Sequence, residues 1–98
     1  MFFVLLRFSD NKAQARQYMD AHNRWLQGGF DDGIFLVAGS LQPGAGGAIV
    51  AHGCTRAALE QRIDGDPFVA AGVVTPEILE VTPAKAGEQF AFLLAQPA

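Results

Sequence analysis

His22 is the first residue in the chain suited to acid–base chemistry. Imidazole is the side chain that ordinarily titrates near neutral pH. His22 falls within an apolar helical stripe, with Met19 and Leu26 one turn to either side. A ring that faces a sheet from such a stripe is partly desolvated, and desolvation tunes its pKa. A core histidine that makes one hydrogen bond and does nothing else fits the same pattern. Asp66, in Gly65-Asp66-Pro67-Phe68, is the second candidate. An aspartate immediately before proline is a common cap for a helical turn. The same carboxylate can bond one ring nitrogen of a histidine, fixing the tautomer and leaving the other nitrogen as a base.

Other residues carry weaker signals. Ser40, in Ala38-Gly39-Ser40-Leu41 at a strand end, could donate a hydrogen bond to substrate. It lacks the strand-turn-helix setting of a nucleophile elbow. Trp25 and Tyr18 fill the core or line a pocket, and Trp25 joins Ser40 as a substrate-binding candidate. His52 could join His22 as a metal ligand, but two histidines without a Cys/His cluster are a poor zinc signature. No metal and no cofactor are expected. Gly44-Ala45-Gly46-Gly47 is glycine-rich but lies between strands, whereas a phosphate cradle wants a helix N-terminus behind it. It reads as a turn. Cys54 has no neighbouring base in sequence and reads as a small buried residue.

The elements that must position these residues follow from periodicity and punctuation. Residues 2–8 (FFVLLRF) read as a strand. Ser9-Asp10-Asn11 offers N-cap oxygens for a helix running from about Asn11 to Gln27, with Gly28-Gly29 as its C-terminal stop. Its inner stripe is Ala15, Tyr18, Met19, His22, Trp25 and Leu26. Gly33–Leu41 and Ala48–His52 read as a hairpin. Thr55 caps a helix over Arg56–Ile63, and Pro67 opens one more turn through Ala71. Glu77–Val81 is the fourth strand, bounded by Pro76 and Pro83. The tail from Gly87 carries Phe90, Phe92, Leu93 and Leu94, and its periodicity suits a short helix or an added strand. Four large apolar side chains in five residues should pack against the body or a partner rather than stand in water.

The order β-α-β-β-α-β is the ferredoxin-like arrangement, an α+β fold with a four-stranded antiparallel sheet. Two helices cover one face of such a sheet, and a face left to water should be polar. Here Phe2, Val4, Leu6 and Phe8 lie on one face, and Phe3 and Leu5 on the other. Both faces call for burial, which a second subunit laid sheet to sheet would supply. A homodimer, or a multiple of one, is therefore expected.

Composition narrows the field. The chain has 98 residues, enough for one domain, so it cannot hold separate nucleotide and substrate domains. Half its residues are hydrophobic and 17% are charged, too apolar for intrinsic disorder. Seven basic and ten acidic residues give a charge of −3 with no basic cluster, so nucleic acid is not an expected partner. The single cysteine closes no intrachain disulfide. The apolar N-terminus lacks a basic region and a cleavage site, and no run reaches the roughly 18 apolar residues of a membrane span. A cytoplasmic protein without membrane contact is the expectation.

Phe35-Leu36-Val37-Ala38-Gly39-Ser40, the late-helix His22, and Asp66-Pro67-Phe68-Val69-Ala70-Ala71-Gly72-Val73 together resemble the YciI-like (YCII-related) family of small dimeric α+β barrels. The last segment is similar to the family's Asp-Pro-aromatic-x-x-Ala-Gly signature. The resemblance covers about residues 1–83 and leaves 84–98 as a C-terminal extension. It implies a ferredoxin-like fold, dimerisation through the sheet, and a His–Asp pair at His22 and Asp66. Two positions depart: Met19 stands where the family often has arginine, and Ser40 where it often has proline. The chemistry associated with the family is elimination of chloride from a chlorinated hydroxyhydroquinone, which needs a base and no metal. The first expectation is a cofactor-independent lyase or isomerase acting on a small aromatic or enolisable molecule. A non-catalytic ligand-binding domain and a cofactor-free monooxygenase are the alternatives.

Overall fold

A computed structural model describes residues 1–95 of the chain. Its elements are β1 (Phe2–Phe8), α1 (Ala15–Asp31), β2 (Phe35–Leu41), β3 (Gly46–Ala51), α2 (Arg56–Asp64), the single-turn α3 (Pro67–Ala70) and β4 (Val74–Glu80). Short 3-10 turns precede α1 and form the tail, at Lys12–Gln14 and Glu88–Ala95. The strands form one antiparallel sheet in the order β2-β3-β1-β4. This is the expected ferredoxin-like α+β fold.

Alternation along β1 decides what the helices cover. Phe2, Val4 and Leu6 are buried, each at most 4% exposed, with Phe35, Ile49 and Ala51 beside them on the same face. Leu59, Ile63 and Phe68 from α2 and α3 close this core. A bulge at Leu36 shifts the β2–β3 register, so Phe35 opposes Ala51 while Val37 opposes Val50. Phe35 therefore turns inward and Val37 outward, although they are only two residues apart.

Several boundaries differ from the sequence reading by a few residues, β2 starting at Phe35 rather than Gly33 and β4 ending at Glu80 rather than Val81 among them, and three shifts have a tertiary reason. First, α1 does not stop at Gly28-Gly29. It continues to Asp31 and closes at Gly33, which has φ +73°. Gly33 N–H donates to Phe30 O and Ile34 N–H to Gly29 O, both at 3.0 Å, a Schellman closure. Gly29 serves packing instead: a Cβ there would come within 2.1 Å of the Phe35 ring. Second, Pro76 lies inside β4 rather than bounding it, opposite Leu6. β4 is an edge strand, where a missing N–H is tolerated. Third, Gly46-Gly47 belongs to β3 rather than to the turn.

The first-helix entry also differs in detail. Ser9 Oγ accepts Asn11 N–H at 3.0 Å, but neither N-cap side chain of the entry turns is used. At α2 the expected cap is present, with Ala58 N–H donating to Thr55 Oγ1 at 3.1 Å. The tail resolves as a 3-10 helix, in which Leu93 is 7% exposed and Phe90, Phe92 and Leu94 are each at least 42% exposed. Residues 96–98 of the tail lie outside the described residues. No helix among the described residues is long and apolar enough to cross a membrane.

Candidate active site

The tripeptide Asp66-Pro67-Phe68 builds one wall of the site. Asp66 is extended at φ −65°, ψ 124°, and caps α3 by accepting Phe68 N–H at 3.0 Å. Pro67 takes the first helical position, where its missing N–H removes no intrahelical bond. Asp66 is fully buried. A buried carboxylate must be paired to be tolerable, and the partner comes from α1. His22 Nδ1 lies 2.7 Å from Asp66 Oδ1, the same oxygen that accepts the cap. Phe68 then stacks on the imidazole, with ring centres 4.1 Å apart and planes 6° from parallel. One short turn thus orients the histidine in angle and in plane.

Trp25 supports the ring from another side, with centres 5.6 Å apart. Its indole N–H donates to Arg62 O at 3.0 Å, and its ring meets Phe35 edge-on. Trp25 is not among the residues that line the cleft at His22. It lines instead a separate pocket against α2, with Ala58, Gln61, Arg62 and Gly65.

An aspartate on Nδ1 directs the Nδ1 proton to the carboxylate and makes Nε2 the free nitrogen of the neutral ring. The His22 side chain is 14% exposed, and that exposure is into a cleft. The cleft has two parts that meet at His22. One, about 150 Å³, is walled by Leu6, Leu26, Ala38 and Ile49. The other, about 200 Å³, is walled by Phe8, Met19, Asn23, Ser40 and Phe68. Ser40 therefore stands in the same cleft as His22. Met19, expected inside the stripe, is 41% exposed and lines the cleft. Apart from His22 itself, no basic side chain lines either part among the described residues.

The arrangement can do general-base chemistry: an imidazole, a carboxylate to stabilise the imidazolium that forms, and a small partly apolar space beside it. Asn23 and Phe68 were not singled out from sequence. Asn23 carried a signal in its place beside His22, and Phe68 in the aspartate–proline turn. His52 lies away from the site, its ring edge-on to Phe92 at 5.3 Å. No group of three or more potential metal ligands occurs among the described residues. Cys54 is half-buried, and burial pushes its thiol up, against the pull of Arg62 and the N-terminal ammonium.

Among solved structures, the chain is similar to the 5-chloro-2-hydroxyhydroquinone dehydrochlorinase of Burkholderia phenoliruptrix, solved in complex with 2,5-dihydroxybenzoquinone. The TM-score is 0.69 at 16% identity, covering 91% of this chain and 98% of that one. At that identity the likeness is one of fold. No curated protein matches the sequence. A family model for the YCII-related domain matches residues 1–85. With that match spanning all four strands and the His22–Asp66 pair, the chain belongs to the YCII-related family.

Proposed function

We propose that the protein is a small cofactor-independent enzyme of the lyase or isomerase type, with His22 as general base. The observation that carries this is the 2.7 Å contact between His22 Nδ1 and the fully buried Asp66, beside a cleft that the histidine lines. His22 Nε2 takes a proton from a hydroxyl or an acidic carbon of a small aromatic or enolisable substrate. In an elimination, the electron pair left behind expels a leaving anion, so that the elements of an acid HX are lost. In an isomerisation, the imidazolium returns the proton to another atom. Asp66 holds the ring and stabilises its charged form, while Ser40 donates to the developing oxyanion. The neighbour's substrate, a chlorinated hydroxyhydroquinone, is the first compound to try.

Loss of chloride from 5-chloro-2-hydroxyhydroquinone, followed alongside solvent deuterium exchange into a panel of enolisable ketones, tests the reading. Turnover of any of these should vanish in His22→Ala. In Asp66→Asn it should fall about 10²–10⁴-fold with the fold retained, because the amide cannot stabilise imidazolium. Turnover unchanged in His22→Ala overturns the base assignment. One feature favours a binding domain without turnover: the cleft offers a departing group only the neutral donors Ser40 and Asn23.

The working unit we propose is a homodimer in the cytoplasm, joined through the sheet face that the helices leave bare. Phe3, Val37 and Leu79 on that face are 37%, 57% and 44% exposed, an apolar surface with strong reason to associate. Light scattering should return twice the chain mass at micromolar concentration. The mass of a single chain would remove the dimer.

A further inference from the structure

Two adjacent glycines in β3 stand under different constraints. Gly46 has φ +131°, and a Cβ built on it would lie 1.9 Å from Leu6 O, so the backbone itself demands glycine. Gly47 has no such demand. Its backbone is open to any residue, and a Cβ would meet only Gly39 O, at an ordinary 3.6 Å. Glycine inside a strand weakens it, through chain entropy and the missing side chain. Gly47 carries that cost with no packing reason for it.

Its position supplies another reason. Gly47 pairs with Leu6 on one side and Ser40 on the other, so it shares the helix-covered face with the buried Leu6. It lines both parts of the cleft, as do His22 and Leu6. A side chain at 47 would project into the space where the two parts join, beside the imidazole. Bare backbone there leaves a flat floor facing His22. The walls add a second restriction. His22 is the only basic side chain lining the cleft among the described residues, and its Nδ1 is already held by Asp66, so no lysine or arginine stands ready to pair with a carboxylate ligand.

We propose that Gly47 is the specificity-determining residue of the cleft, keeping room for an uncharged planar ligand to lie on the sheet backbone beside His22. This rests on the reading of the cleft as the substrate site. It adds which residue admits the ligand and which charge class is refused. Enlarging residue 47 should close the cleft in proportion to side-chain size without harming the fold.

The test reads binding without turnover. Isotope-labelled protein is titrated with phenol and with benzoate, following the His22 ring and the residue 47 amide by NMR. Phenol should shift both, with benzoate at least tenfold weaker. Gly47→Ala should weaken phenol about threefold and Gly47→Val at least tenfold, each with a thermal midpoint equal to or above that of the parent. Gly46→Ala, the control, should lower the midpoint sharply. The proposal is overturned if phenol binds Gly47→Val as well as the parent, or if benzoate matches phenol. Shifts confined to the open sheet face around Phe3 and Val37 overturn it too, as does a midpoint in Gly47→Ala that falls like that of Gly46→Ala. A failed search for turnover leaves these readings untouched. An active enzyme with unaltered phenol binding in Gly47→Val removes the Gly47 role alone.

Discussion

The two faces of the sheet are built from the same strands and have opposite fates. Under the helices, Phe2, Val4 and Leu6 pack with Phe35, Ile49 and Leu59 in one core cluster, and Leu6 and Ile49 wall the cleft that His22 lines. On the other side, Phe3 opposes both Val50 and Leu79, with neither α1 nor α2 above them. There the Arg7–Glu77 ion pair marks one end. At the other end Phe90 and Leu93 of the 3-10 tail line, with Phe3, Val37 and Val50, an open pocket of about 380 Å³. Apolar residues on the first face are spent within the chain, and several on the second stay exposed. A single strand therefore walls the candidate site on one side and presents open apolar surface on the other.

The comparison can be broken by equal truncation on the two faces. Leu6→Ala should cost about 2–5 kcal/mol in chemical denaturation, since it removes a large side chain that is only 3% exposed. Phe3→Ala should cost the isolated chain much less, because the ring is already 37% exposed. Equal losses, measured below the concentration at which the chain associates, would show that the two faces do not divide the labour. A charge sharpens the second half. Phe3→Asp should raise the dimer dissociation constant at least tenfold in sedimentation, while the far-ultraviolet circular dichroism of the chain stays as it was.

The smallest effect concerns Cys54, a half-buried residue packed against the core. Burial raises its thiol pKa, so the neutral thiol persists to higher pH in the folded chain than in the unfolded one. Stability from this group is constant at low pH and declines as pH rises through the unfolded thiol value toward the folded one. Alkylation by iodoacetamide at pH 8 should be slower in the native protein than in urea, by a few-fold. Equal rates would mean that the folded environment does not suppress the thiolate.

What could be read from sequence was whatever is local. Thr55 was legible as a cap, because a cap is written within four residues. The two face sets of β1 were legible because side chains point alternately to the two sides of a strand, but both sets are apolar, so which one the helices cover was not. His22 and Asp66 were each legible as candidates, and the aspartate–proline turn suggested how they could meet. What escaped depends on distant partners. Gly28-Gly29 looked like a helix stop, but Phe35 makes Gly29 a packing position. Pro76 looked like a strand boundary, but its place on the sheet edge lets the strand run through it. Gly47 looked like part of a turn. Its emptiness has meaning only once α1 has brought His22 above it.

The Gly29–Phe35 contact has a consequence for descent. Any side chain larger than hydrogen at position 29 overlaps the ring at 35, so the two positions cannot drift independently. An alanine at 29 is viable only in a lineage that has already reduced residue 35, and a large ring at 35 is accessible only from a lineage with glycine at 29. Such sign-dependent pairs block direct single-step paths between two workable sequences. Residue 35 also packs against Trp25, which supports the catalytic candidate His22. Variation at this helix–strand crossing is thereby tied to the histidine's setting, and the order in which substitutions arrive decides which descendants retain it.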